Sequence, residues 1–304
     1  VRLVALVESE SHVCSRYRLS AFCGALAAAG HSLEFRTLPQ SLLGRFTIGH
    51  NLAHFDAVIL QRKLLPPWVI ARLRRRVSRL IFDFDDAVWL RDSYSSKGFH
   101  DPKRAARFRE TITACDLVFA GNEYLAIEAR KFAPNRVTVI PTCVDVTQYP
   151  RATHSARDAV RLVWVGSSST LQGLERFAPT LSAIGREVPN TRLKLICDRF
   201  VEFPGLPVER CMWNESREPH EIAACDIGIG WVPDDPWSRG KCGLKVLQYH
   251  AAGLPVVANA VGVQRDFVRD NETGFCANTT EEWVRAVRAL ANDPALRAKL
   301  GTTA

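Results

Sequence analysis

Arg239, Lys241, Lys245 and Gln248 fall within one short run, Asp234-Asp-Pro-Trp-Ser-Arg-Gly-Lys-Cys-Gly-Leu-Lys-Val-Leu-Gln-Tyr-His-Ala-Ala-Gly-Leu-Pro-Val-Val-Ala258. A loop holding Gly240, Cys242 and Gly243 leads into a helical pattern, and Lys245 and Gln248, three residues apart, share one of its faces. The helix dipole disfavours a lysine near a helix start unless an anion offsets it, so this placement points to a phosphate ligand. A solvated basic face is the plain alternative. It is the weaker one, because Ala251-Ala-Gly253 and Pro255-Val-Val mark a segment that packs tightly.

A second candidate is Gly166-Ser167-Ser168-Ser169-Thr170, directly after the strand-like RLVWV and before a helical pattern. A strand, a glycine turn and a helix start present unpaired N–H groups and a positive dipole end, which suits phosphate. Ser and Thr are equally favoured as helix caps, and this segment alone does not choose between the two. It is neither a G-x-G-x-x-G sequence nor a Walker loop. No Ser-His-Asp arrangement is forced by spacing, and Trp213 and Trp231 read as core more readily than as a base or sugar platform.

The elements that must hold these residues alternate. Strands are expected at 1–8, 33–37, 56–61, 80–84, 116–120 and 136–140, with helices near 16–29, 68–79, 103–114 and 123–133. A polar stretch without periodicity follows, and the pattern restarts with strands at 161–166, 192–197, 226–231 and 255–259. Helices are expected at 172–187, 244–252, 280–291 and 294–300. Such alternation is the signature of α/β doubly wound parallel sheets. It predicts an N-terminal Rossmann-like domain over 1–150, a linker at 151–160 and a C-terminal Rossmann-like domain over 161–304. Ligands of such sheets bind at the carboxyl ends of the strands, here in a cleft between the domains.

Composition sets the class. The chain has 304 residues, 47% apolar and 24% charged, and 40 Lys and Arg against 32 Asp and Glu give +8. That mix excludes collagen-like, disordered and repeat-coil proteins, and the charge favours phosphate-rich ligands or anionic surfaces without naming either. Nine cysteines, mostly in apolar runs and with no C-x-x-C pair, read as reduced cytosolic thiols rather than zinc ligands. No apolar run approaches a membrane span, and no signal peptide is apparent. The chain starts without Met and stops at Gly301-Thr-Thr-Ala304, just after a helical pattern, which gives the expectation of a C-terminal truncation.

The whole chain resembles family 4 of the glycosyltransferases, retaining enzymes of the GT-B fold. The resemblance is strongest over 226–275, through DIGIGWVPDD, GKCGLKVLQYHAAGLPVVANAVG and NETGF, and extends to VWVGSSST and to VIPTCVDVTQY at 139–149. It is closest to a subgroup with a G-K-C-G-x-K-x-x-Q-Y donor motif in bacterial surface-polysaccharide synthesis. The resemblance implies a nucleotide-diphospho-sugar donor, linked to uridine or guanosine, bound by the C-terminal domain. It implies a saccharide or lipid-linked acceptor on the N-terminal one, with no obligatory cofactor and no metal. Arg239, Lys241 and Lys245 would stabilise the leaving diphosphate, with Gly166, Ser167, Ser168, Ser169, Thr170, Gly240, Cys242, Gly243 and Gln248 forming the donor site. The family's two glutamates fall on Gly240 and Gln248, so both carboxylates are missing. Gln248 retains an amide that both donates and accepts. The family's glycine-loop Arg and Lys fall on Ser167 and Gln172.

On the acceptor side, Arg16 and Arg18 stand where the family has a glycine-rich loop, and an ordinary exposed helix start explains them equally well. Asp85 and Asp86 directly follow the strand LIFDF, at the sheet edge, and suit an acceptor hydroxyl or a helix cap better than a metal. Asn122 and Glu123 read as a helix cap. Arg72, Arg74, Arg75, Arg76 and Arg79 give a basic helix surface suited to anionic headgroups, hence a cytoplasmic protein that docks on the inner membrane face; a solvated face is the commoner explanation. With Trp68 as the sole aromatic companion, no nucleic-acid partner is expected. Two other readings stand beside transfer: a catalytically degenerate sugar-nucleotide-binding protein, and a GT-B nucleotide-sugar epimerase.

Overall fold

The computed structural model describes residues 1–39, 41 and 43–304, and its described residues form two six-stranded, wholly parallel sheets. The first holds β1 (Arg2–Val7), β2 (Ser32–Thr37), β3 (Ala57–Gln61), β4 (Leu80–Phe84), β5 (Leu117–Ala120) and β6 (Val137–Val139). Their order is β2-β1-β3-β4-β5-β6. The second holds β7 (Val160–Val165), β8 (Thr191–Cys197), β9 (Val208–Met212), β10 (Ile227–Gly230), β11 (Val256–Ala258) and β12 (Gly274–Cys276). Their order is β12-β11-β10-β7-β8-β9. Strands such as AVILQ and LIFDF are buried along their whole length, as parallel strands covered on both faces must be.

The order reverses between β1 and β3 in the first sheet and between β7 and β10 in the second. In open α/β sheets the crevice beyond such a reversal, at the carboxyl ends of the strands, is where ligands bind. The residues that leave β7 and β10, Gly166 and Trp231, therefore flank the favoured position of the second sheet.

The chain divides into two compact units, 1–143 with 235–242 and 144–234 with 243–304. Residues 150–157 have no regular structure, yet they are fixed to the second unit. The Ala152 N–H donates to the Ala252 carbonyl at 2.8 Å, and Arg297 donates to that of Ser155 at 2.8 Å.

Three expectations are corrected. The helix expected at 16–29 is broken into Val13–Arg18, a single 3-10 turn and Cys23–Ala28. The helix at 172–187 is two helices, Ser168–Arg176 and Ala178–Glu187, because Pro179 lacks the N–H that a continuous helix needs and sits instead in a new first turn. The basic helix is Pro67–Arg74, leaving Arg75, Arg76 and Arg79 outside it. β9, β12 and the helix Glu218–Ala223 lie outside the expected elements; VERCM has little local strand preference and is a strand through its pairing with β8.

Candidate functional site

In the second unit, the loop after β7 and the first turn of the helix Leu244–Ala251 meet over one indole. Trp164, in β7, is 2% exposed. A Cβ on Gly166 would come within 2.3 Å of Trp164 Cη2, so only glycine lets the chain turn there. Lys245 Nζ lies 4.0 Å from the centroid of the same ring. A cation over an indole face gains about 0.5–2 kcal/mol, which holds the ammonium beside the switch-point loop. Gly243, at φ 68°, caps this helix, and a Cβ there would meet Phe267 at 2.7 Å. Tyr249 fixes the helix from below: its buried hydroxyl accepts the Val165 N–H at 3.1 Å, and burial raises its pKa.

Gln248, on the same helix, is buried, and its Nε2 donates to Glu218 Oε1 at 2.7 Å and to the Tyr149 hydroxyl at 3.2 Å. Glu218 also accepts the Trp213 indole N–H. The sequence reading missed this carboxylate; its position at the start of a helix, before Pro219, was the available signal.

The serine-rich loop carries its own anion. Asp198 accepts the Ser168 N–H at 2.6 Å and the Ser168 hydroxyl at 2.8 Å. These bonds, the side-chain one first, hold the Asp198 pKa below the usual range. Ser167 caps the helix Ser168–Arg176, with the Thr170 hydroxyl accepting its N–H at 3.3 Å, and the Ser167 and Ser169 hydroxyls lie 2.8 Å apart. The helix-cap reading accounts for these contacts.

Arg239, Gly240, Lys241 and Cys242 belong to the first unit, unlike Lys245 and Gln248. Their loop is latched by Asn122, which caps the helix Glu123–Arg130 with its oxygen and donates through Nδ2 to the carbonyls of Gly240 at 3.0 Å and Lys241 at 3.2 Å. Ser93 donates to Asp235 at 3.1 Å. Gly240 is closely packed: a Cβ there would lie 3.0 Å from Ala87 and from Leu125, so a neighbour would have to give by a few tenths of an ångström. Cys242 is buried with its thiol 3.2 Å from the Asp85 carbonyl, and burial raises its pKa far above the usual thiol value. Arg239 is exposed and acts on the exposed Tyr124, whose phenol pKa is raised by partial desolvation and partly drawn back by this charge.

Lys241 pairs with Asp86 at 3.3 Å, and Arg62 takes the other Asp86 oxygen. Burial alone would raise the Asp86 pKa, but Lys241 and then Arg62 outweigh it and hold the carboxyl low. Arg62 leaves β3 at φ 59°, an unusual conformation for a non-glycine residue, at the switch point of the first sheet. Asp85 lies 3.6 Å from Arg62. Arg18 is structural in its contacts: Nε donates to both Asp83 oxygens at 3.0 Å, and Nη1 to the Ile140 carbonyl at 2.9 Å. Burial works against the Arg18 charge, and Asp83 more than restores it. Arg16 lies over the Tyr17 ring. Arg62 and Asp83 were also missed, being embedded in strand-end sequence with no motif.

Among the described residues, no cluster of three or more His, Cys, Asp or Glu side chains is placed to hold a metal ion. Nor is any helix there long and apolar enough to cross a membrane.

Residues 236–304 match the family model described as glycosyl transferases group 1. No curated protein matches the chain. Among solved structures, sucrose-phosphate synthase from Thermosynechococcus elongatus superposes with TM-score 0.77 at 16% identity, over 99% of this chain and 92% of that one. Anabaena HepE in complex with UDP and glucose gives 0.66 at 15% identity, over 99% and 93%. The lipopolysaccharide outer core galactosyltransferase WaaB gives 0.62 at 11% identity, over 96% and 90%. The two-unit α/β architecture is thus the GT-B fold, and the family segment within it supports a glycosyltransferase.

Proposed function

We propose that the chain is a retaining glycosyltransferase that moves a sugar from a uridine or guanosine diphosphate donor to a saccharide or lipid-linked acceptor, in bacterial surface-polysaccharide or glycolipid synthesis. The observation that carries this reading is the meeting of Gly166 and Lys245 over Trp164 at the switch point of the second sheet. As the anomeric bond breaks, negative charge builds on the leaving diphosphate, and a preorganised cation beside backbone N–H groups stabilises it. Lys245 is the cation of the second unit assigned to that task. Lys241 serves the loop through Asp86. Gln248 contacts the nucleotide ribose, and the leaving phosphate accepts the acceptor's proton, so no protein nucleophile is required. Asp85 is the acceptor-side group. An anionic membrane surface fits the basic helix better for the exposed aromatic pair beside it: Phe46 and Trp68 have ring centroids 4.9 Å apart and are 47% and 41% exposed.

One observation favours a second reading, a sugar-nucleotide-binding protein without turnover: where the resembled family has its first glutamate, Gly240 is packed so that a Cβ would crowd Ala87 and Leu125 at 3.0 Å. A single experiment separates the two. Calorimetry with UDP, GDP and their sugars is expected to show binding that Lys245→Ala weakens at least tenfold while the protein stays folded, its melting temperature lowered by no more than a few degrees through the lost contact with Trp164; equal affinity removes Lys245 from the site. Binding without glycosyl product from any donor and acceptor pair selects the second reading.

A further inference from the structure

We infer that the second unit carries an anion site at the amino-terminal ends of β7 and β8, one that takes a phosphate ion or the phosphate group of a small monoester. It is independent of the nucleotide-sugar reading, because Arg161 at this end of β7 lies five residues, about 16 Å, from Gly166. A cavity of about 250 Å³ opens there, lined by Arg157, Asp158, Ala159, Arg161 and Arg192. Three guanidinium groups line it against a single carboxylate, and that carboxylate, Asp158, is exposed to water. Strand pairing forces two of the arginines together. Arg161 and Arg192 are Cα partners in neighbouring parallel strands, which sets both side chains on one face of the sheet from backbones about 4.8 Å apart. Like charges at that spacing repel. Arg161 is relieved by Glu209, which accepts its Nε–H at 3.1 Å, but Glu209 is shared with Lys194, 3.7 Å away. Arg157 donates to the Thr153 carbonyl at 3.1 Å, which holds it at the cavity. It lies 3.7 Å from the fully buried Asp226, which Arg297 also approaches at 3.8 Å, so one carboxylate serves two guanidinium groups. Arg192 is exposed, and among the described residues its guanidinium has no ion pair or hydrogen bond. The lining is therefore complementary to an anion. A guanidinium fork matches phosphate oxygens two at a time, which makes arginine the better reader of phosphate geometry. Small-molecule sites usually span roughly 300–1,000 Å³, so a cavity just below that range suits a phosphate with a short carbon body.

The test is calorimetric titration of the full chain with inorganic phosphate and with glycerol 3-phosphate at constant ionic strength. Lys245→Ala controls for phosphate taken up at the donor site, and Arg192→Gln and Arg192→Lys probe the cavity. Native protein and Lys245→Ala are expected to bind phosphate alike. Arg192→Gln, at an exposed strand position, is expected to stay folded by its melting curve and to bind about tenfold more weakly, the scale of one hydrogen bond between charged groups. Arg192→Lys keeps the charge and loses the fork, and its affinity is expected to fall between the two. Tighter binding of glycerol 3-phosphate than of phosphate makes a monoester the ligand; equal or weaker binding makes it the free ion. Unchanged phosphate affinity in either folded Arg192 variant, or binding that disappears in Lys245→Ala, overturns the site. A native protein that binds neither probe overturns it too, and binding of UDP or GDP in the same protein would show that the donor-site reading does not fall with it.

Discussion

Replacing Lys241 by Met, which keeps the length of the side chain and removes its charge, separates an anchoring cation from a ligand cation. Nζ stands 3.3 Å from Asp86, and at an effective dielectric of about 20 two unit charges at that distance attract by about 5 kcal/mol before desolvation. Most of that is not recovered as stability, since the Lys241 side chain is 34% exposed and Arg62 still neutralises Asp86 in the variant. The expected loss is about 1–2 kcal/mol, and for a unit of this size that lowers the melting temperature by about 2–8 °C. The pH dependence has a fixed sign. Asp86 has its folded pKa below the ordinary 3.8, so the stabilisation is full above that value and fades as the pH falls through the lower folded one. Melting curves of native protein and Lys241→Met should therefore differ at neutral pH and converge in strong acid. Nucleoside-diphosphate affinity should stay within about threefold. An unchanged melting temperature together with more than tenfold weaker nucleotide binding would refute the assignment and make Lys241 a ligand cation.

Two further outcomes follow from the same packing. Gly240→Glu, although it restores the glutamate of the resembled family, should lower stability by about 1–3 kcal/mol in denaturant titration, because its Cβ begins 3.0 Å from Ala87 and Leu125; a variant of native stability with raised transfer activity would contradict this. His250 has its pKa lowered to about 4 by burial and by Arg269, and its Nε2 is buried without a hydrogen-bond partner. The unfolded chain thus takes up a proton first as the pH falls, and stability should drop by about 3 kcal/mol between pH 6.5 and about 4. A His250→Phe protein should lose that slope; if its stability falls in parallel with the native protein, His250 is not the titrating group.

Much of the architecture is legible in the sequence because its signals are local. LIFDF, bounded at both ends and apolar within, is the buried strand β4 at its expected limits. The N-caps are legible for the same reason, since Asn122 and Ser167 act on amides only a few residues away. VERCM and GFC carry no such signal, and become strands only through neighbours already in the sheet. The candidate site divides along the same line. Gly166, Gly243 and Lys245 are marked by turn chemistry and helix position, whereas Trp164, placed by strand pairing, is what brings Gly166 and Lys245 together.

By itself, the order of residues determined that two parallel sheets would form and that a basic, glycine-containing segment would lead into the helix bearing Lys245 and Gln248. Periodicity, turn residues and caps act over a few residues and can be read one after another. Only the tertiary structure decided which charges neutralise each other. Lys241 meets Asp86 across 155 positions of sequence, and Gln248 meets Glu218 across 30. Ion pairs and buried hydrogen bonds depend on distance in space, and folding sets that distance without leaving a periodic trace in the chain.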